Sequence, residues 1–339
     1  MFQENKMHTI SIIFLVTSLT FFLARIYKYS FTKFFKPKLV PTGFGLFIPV
    51  FLLLGLFLFN EKFIFRPEII SSSIVMIFSS IYYIDDLFYL AAWKRISLCV
   101  FTAISIVLAF NYYDSFSIYN ISLFLIVFLT VLIEIFLANV LNFYDGADLN
   151  LAFILFSVGI ILSNGDLSSN YFISTISLIL IGFSIGFSFL NIYPKSIYLG
   201  DTGSFALSSL IVLILMMYLF QYSLIPYKLL IYLSFPACDV LYVLLIRLWF
   251  KHDLLSRNYL HLYQRIQIEK KNFLYLLPPG INYILAITLF NFLNKIMVNS
   301  FISTLLISFV FTPISYLSIR YLMVERRFFF GDGLNENSL

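Results

Sequence analysis

The chain has 339 residues, 61% of them hydrophobic and only 12% charged, and its mean hydropathy is +0.94. A soluble domain of that make-up would lack the polar side chains needed to cover its surface, so that class is excluded. In such a chain the placement of the +5 net charge matters more than its sum, and no nucleic-acid partner is expected.

Apolar runs long enough to cross a bilayer core of roughly 30 Å recur along the whole length. In chain order they predict eleven spans, at about 8–24, 43–60, 69–84, 96–112, 120–142, 149–164, 172–190, 204–223, 228–249, 273–294 and 299–319. The first begins near His8 without an A-x-A-like cleavage site and reads as a retained span. Cys99 and Cys238 fall inside apolar runs, with neither metal spacing nor a disulfide framework. No internal repeat divides the chain. The expected fold is an all-α polytopic membrane protein, with residues 1–339 forming a single bundle of about eleven transmembrane helices.

Charge placement sets the sidedness. With residues 25–38 inside, the connections on that side and the C-terminal tail hold seventeen of the 22 lysines and arginines. By the positive-inside rule the N-terminus lies outside and the C-terminus in the cytoplasm. The polar motifs then gather on the cytoplasmic face, in loops at about 25–45, 85–95, 142–150, 191–204 and 250–272.

Asp85 and Asp86 close the third span, and Asp145 and Asp148 follow the fifth, at helix C-termini that disfavour anions. Four acids at two such ends on one face suggest a hard cation, and oxygen-only ligands suit Mg²⁺ or Mn²⁺. Solvated helix ends are the plainer alternative. Asn139 and Asn142, three apart, share a helix face, and Gly146 permits a sharp turn after Asp145. "GDTGS" (200–204) opens the eighth span; Thr202 or Ser204 would cap it, and its free amides would attract phosphate beside a metal held by Asp201. A metal-binding acid cluster opposite such a helix end suits phosphoryl transfer.

The connection 250–272 carries His261, with Leu260, Tyr263 and Ile266 as an apolar face and Arg257 and Arg265 left for phosphates. Resting on anionic lipid is the alternative for this basic segment. "KPKLVPTGFG" (36–45) reads as a shaped turn beside Lys38. Glu134 and Asp239 lie within spans, either as functional acids or as partnered acids that hold the bundle together.

Taken in order, these stretches resemble the polyprenyl-phosphate N-acetylhexosamine-1-phosphate transferases, from Lys36 to Arg265. The family's proline-glycine turn looks like "PTGFG" (41–45), and its paired aspartates like Asp85 and Asp86. Its N-x-x-N-x-x-D-G-x-D pattern matches Asn139, Asn142, Asp145, Gly146 and Asp148. Its later G-D-x-G-S stretch looks like "NIYPKSIYLGDTGS", with Asn191, Gly200, Asp201, Gly203 and Ser204 in place. Three departures stand out. Leu149 and Asn150 replace the end of the family's D-G-x-D-G. The lysine of its P-A-K stretch is displaced to Lys195. Its histidine-rich loop retains only His261, in a form like that of the subgroup acting early in O-antigen assembly.

The resemblance implies transfer of a sugar-1-phosphate from a UDP-N-acetyl amino sugar to undecaprenyl phosphate at a bacterial inner membrane. UMP is released, Mg²⁺ or Mn²⁺ is the cofactor and the bilayer is a partner; a homodimer is left open. It further implies that Asp201 ligates the metal with Asp145, and that Asp85 or Asp86 deprotonates the polyprenyl phosphate or helps hold the metal. Asn191 and Asp148 would contact the uridine side, and His261 and Arg265 phosphate or sugar. Lys38, Asn139, Asn142, Gly203, Ser204 and Arg257 would complete the substrate site. The rival reading is a secondary transporter or flippase for a lipid-linked sugar, for which repeat symmetry and polar groups near the midplane would be expected.

Overall fold

A chain this apolar has to satisfy its backbone internally wherever lipid excludes water, which leaves helices or a closed barrel. The computed structural model describes residues 2–34, 40–59, 67–88, 90–113, 122–145, 147–165, 168, 170–192, 196–252, 260–270, 273–297 and 299–324, and no strand occurs among them. Helices α1 (Phe2–Phe34), α2 (Phe47–Phe59), α3 (Pro67–Phe88), α4 (Ala92–Tyr113), α5 (Leu123–Tyr144), α6 (Asn150–Ser163), α7 (Tyr171–Asn191) and α8 (Gly200–Tyr222) lie in a first compact unit, Met1–Pro226. A second, Tyr227–Leu339, contains α9 (Tyr227–Trp249), α10 (Leu262–Lys270), α11 (Leu277–Met297), α12 (Ser300–Leu306) and α13 (Thr312–Met323).

Among the described residues nine helical segments are long and apolar enough to cross a membrane, while Phe44–Leu58 and Asn150–Ser163 are apolar but shorter. By length and composition this is a multi-pass membrane protein. Several helices run past their apolar stretches. The run 69–84 lies within α3, which continues through Asp85 and Asp86 to Phe88, and α8 begins at Gly200, four residues before the run 204–223. Polar side chains extend these helices because they find partners on neighbouring ones.

Hydroxyls are accommodated locally. Thr102, Thr130 and Ser72 each donate to the carbonyl four residues earlier, at 2.8, 2.7 and 2.7 Å. Ser122 and Asn170 cap α5 and α7 by accepting from Leu125 N and Ile173 N.

In the first unit α8 is the central helix. Of its membrane-crossing window 89% is buried, against 28% for α5, and it packs on α2, α3, α4 and α5. α7 lies between α1 and α6. Its Gly182 and Gly186 sit so close to α1 that a Cβ on Gly186 would come 2.4 Å from Thr17 O. Thr17 Oγ1 donates to Gly182 O at 3.1 Å across the same seam, the small-xxx-small packing that lipid-embedded helices use.

In the second unit α9 packs on α11, α12 and α13 around Ile231, Ala286, Phe290 and Ile307. The segment from α12 to α13 is continuous through a π-helical turn, Ile307–Phe311. Pro313 follows it and has no N–H to give, so a local change of register there is expected.

Candidate active site

α3 and α5 end, and α4 and α8 begin, at the same end of the first unit, and that topology gathers acids from separate parts of the sequence. Asp86 Oδ1 accepts from Asp201 N at 3.1 Å. Its Oδ2 accepts from Thr202 N at 3.0 Å and from the Thr202 hydroxyl. Asp145 Oδ2 accepts from Gly200 N at 3.0 Å. Two carboxylates thus take the first three amides of α8. This corrects the expectation that Thr202 or Ser204 caps that helix and that its amides stay free for phosphate: Leu199 at the cap position offers no side-chain hydrogen bond, and the cap comes from α3. The physical reason is electrostatic. Asp86 sits at the unfavourable end of its own helix dipole, and the positive end of α8 offsets that.

Gly200 makes the approach possible. It has φ +76°, and a Cβ there would lie 2.4 Å from Asp86 Oδ1. The "PTGFG" turn is fixed to the same segment: Tyr198 N donates to Pro41 O at 2.8 Å and Gly45 N to Leu199 O at 3.0 Å. Gly45 then meets Gly203 backbone to backbone, so Gly203 serves close packing there.

Asp85 and Asp201 are placed differently. Asp85 has a side chain only 1% exposed; Oδ1 accepts from Leu90 N, while Oδ2 has no hydrogen bond and lies 3.6 Å from Arg95 Nε. The other end of the Arg95 guanidinium donates to Asp201 Oδ2 at 3.2 Å. Arg95 therefore bridges the two carboxylates, and the Asn142 side chain also hydrogen-bonds Asp201. Tyr82, stacked on Phe205 at 3.9 Å, donates to Arg95 O at 2.7 Å and steadies the start of α4. In the sequence Arg95 stands out only as one of the cytoplasmic basic residues. The available signal was a cation ten residues after a paired acid, separated from it by a helix break.

Other expected site residues divide. Asn191 is buried; its Oδ1 accepts from Leu149 N at 2.6 Å and its Nδ2 donates to Ile197 O at 2.8 Å, so it ties two motif loops together. Asp148 is also buried. Asn139 is exposed and donates to Ile135 O of its own helix, without joining Asn142 at Asp201. Ser204 is buried, with no hydrogen-bond partner for its hydroxyl among the described residues. Lys38, Gly146, Lys195 and Arg257 lie outside the described residues.

In the second unit, where free surface cations were expected along α10, Leu260, His261, Tyr263, Arg265 and Ile266 are all buried. Arg265 is engaged in an interaction and is not a free cation. His261 Nδ1 lies 3.1 Å from Asp239 Oδ2. Glu134 in the first unit is fully buried, and its Oε1 accepts from Ser209 at 2.6 Å and Ser208 at 3.1 Å.

A metal fits the donor chemistry more readily than it fits the arrangement first expected. Among the described residues no three acidic, histidine or cysteine side chains are close enough to hold an ion. Asp85 and Asp201 provide two carboxylates on either side of one positive charge, and Mg²⁺ commonly binds through one or two carboxylates, keeping water and phosphate as its other ligands. Asp145, expected as a ligand beside Asp201, has one oxygen on the Gly200 amide.

Residues 69–219 match the family model for glycosyl transferase family 4. That segment, a little under half of the chain, is what is similar to the family. It contains all four clustered acids and Arg95, and it ends before α9, so the Asp239–His261 pair falls outside it. No curated protein matches the chain. The family fits transfer of a phospho-sugar onto a polyprenyl phosphate, and a multi-pass fold with its acids at helix ends is compatible with a lipid acceptor that approaches from the bilayer.

Proposed function

We propose that the protein transfers an N-acetylated amino-sugar-1-phosphate from a UDP-sugar to undecaprenyl phosphate, releasing UMP and leaving a polyprenyl-diphosphate sugar. The observation that carries this reading is the Asp85–Arg95–Asp201 bridge beside the α8 N-terminus, inside the segment that matches the family. One phosphoanhydride is exchanged for another, so charge neutralisation and positioning are the main demands.

Asp86 and Asp145 hold the start of α8 in place. Asp85 is the better placed of the paired acids to take a proton from the acceptor phosphate, because all of Asp86's described bonds go to the helix cap while Asp85 Oδ2 accepts none. Arg95, freed from its carboxylates, would meet the diphosphate oxygens. Asp201 and Asp85 would hold a divalent ion, which when bound neutralises charge on the diphosphate. In this reading the end with the acids faces the cytoplasm from a bacterial inner membrane, where UDP-sugars are available, and the basic bias of the connections supports that sidedness. The HLYQRI stretch supports an amino sugar and a role in starting O-antigen assembly.

The test is UMP release by the purified full chain given a panel of UDP-N-acetyl sugars, undecaprenyl phosphate and Mg²⁺. Release that needs both substrates supports the proposal, whereas a transporter or flippase would release none.

A further inference from the structure

The end of α1 is basic and exposed. Arg25, Lys28 and Lys33 all fall between residues 25 and 34, while Glu4, the only acid of α1, lies at the opposite end. Arg25, Lys28 and Tyr29 are exposed and stand at i, i+3 and i+4, so their side chains share one patch a single turn high. Among the described residues neither Arg25 nor Lys28 has a carboxylate partner. Arg25 differs in this from the other described arginines, since Arg95 is half-buried and Arg247, Arg265 and Arg320 are buried. Its guanidinium lies 4.9 Å from the Phe21 ring centre, and Lys33 Nζ lies 5.9 Å from that of Tyr29. Stacking on a ring leaves the N–H donors of a guanidinium in place. Two cations and a phenol hydroxyl with no acid beside them are complementary to a phosphate. They offer nothing to the ammonium of a zwitterionic headgroup, so an anionic one is favoured.

The same face continues as apolar surface. Phe14, Leu15 and Phe22 are exposed on it, at helical spacing from Arg25 and Tyr29. The eleven residues from Phe14 to Arg25 cover about 16 Å of helix, close to half of a bilayer core of roughly 30 Å. A phosphate-binding end above an apolar stripe of that length fits one phospholipid, headgroup and acyl chains together. The lipid acceptor belongs elsewhere. Tyr27, two residues on and so about 200° round the helix, is turned inward. Its hydroxyl meets Thr42 O and the Tyr83 hydroxyl, the latter at 3.2 Å, beside the PTGFG turn. Arg25 therefore points away from the acids. We infer that Arg25, Lys28 and Tyr29 bind the headgroup phosphate of an anionic bilayer phospholipid whose chains lie along Phe14, Leu15 and Phe22. This binding does not depend on the proposed transfer reaction.

The experiment is native mass spectrometry of the full chain, released from detergent and titrated with phosphatidylglycerol or with phosphatidylcholine of identical acyl chains. The natural protein should bind its first phosphatidylglycerol at least about tenfold more tightly than phosphatidylcholine, each cation near the surface contributing about fivefold. Arg25→Gln/Lys28→Gln should cut that preference to less than about twofold. Lys94→Gln removes an exposed cation at the start of α4, on another helix, and should leave the preference within about twofold of the natural value. Raising the ammonium acetate concentration about tenfold should weaken the preference of the natural protein, a check that needs no variant. Equal binding of the two lipids by the natural protein overturns the inference. So does a preference that ignores salt, one that survives in the double variant, or one that Lys94→Gln lowers as far as Arg25→Gln does. Undecaprenyl phosphate added as a competitor should leave the phosphatidylglycerol in place. One-for-one displacement would make this face the acceptor's berth and end its assignment to a phospholipid.

Discussion

Asp86 caps a helix to which it does not belong, its carboxylate taking the backbone N–H and the hydroxyl of Thr202 at the start of α8. The pair spans 116 residues of sequence and fastens the end of α3 to the first turn of the most buried helix in the first unit. Asp86→Asn should therefore act mainly on stability. It replaces one acceptor oxygen with a donor against N–H groups, which costs about 1–3 kcal/mol. Thermal unfolding in detergent should show a lower midpoint, whereas an unaltered midpoint would remove Asp86 from the cap.

Two of the positive-φ residues flanking this site, Gly200 and Leu149, should respond in opposite ways. Gly200→Ala combines a left-handed backbone with overlap on Asp86, and is expected to lose more than about 1–2 kcal/mol together with activity. Leu149 adopts φ +60° at a position where the resembled family carries glycine. Leu149→Gly relieves that backbone strain, so stability should hold within about 1 kcal/mol or rise. Matched melting curves of the two variants are the check, and equal losses would refute the argument from backbone conformation.

Arg95 competes with any cation for Asp85 and Asp201. Arg95→Ala should lower the Mg²⁺ concentration needed for half-maximal activity while reducing kcat about 100-fold, because the carboxylates are freed and the phosphate loses a charged donor. Titrating Mg²⁺ against UMP release separates the two effects. A higher Mg²⁺ requirement would mean that Arg95 does not occupy the cation's place.

The seam between α1 and α7 offers a test away from the chemistry. A leucine at Gly186 cannot be accommodated without moving α1, since even a Cβ would lie 2.4 Å from Thr17 O. Gly186→Leu should lower the melting temperature in detergent by several degrees, as expected for an overpacked interface. Gly165, near a helix end with its nearest Cβ contacts at 3.3 Å or more, should accept alanine with little change.

Much of this was legible in the sequence because hydrophobic runs and paired acids are local signals. The helical class followed from composition, and the clustering of Asp85, Asp86, Asp145 and Asp201 from their recurrence at span ends. What the sequence could not show was which carboxylate faces which partner. Asp85 and Asp86 are adjacent and chemically identical, and only the helix twist turns one toward the α8 amides and the other toward Arg95. Asn191 reads as a ligand by its motif, but its amide braces two loops, a role visible only once residues 149 and 197 are brought to it. For His261 the sequence does not reveal the buried partner, because Asp239 lies 22 positions away on another helix.

The most direct measurement is Mg²⁺-dependent UMP release by the purified protein and by Asp201→Asn, with UDP-N-acetyl sugars and undecaprenyl phosphate. The natural protein should release UMP, and release should stop in the folded Asp201→Asn variant, because one of the two carboxylates facing Arg95 is lost. Wild-type turnover in that variant, or no release by the natural protein with any UDP-sugar, would contradict it.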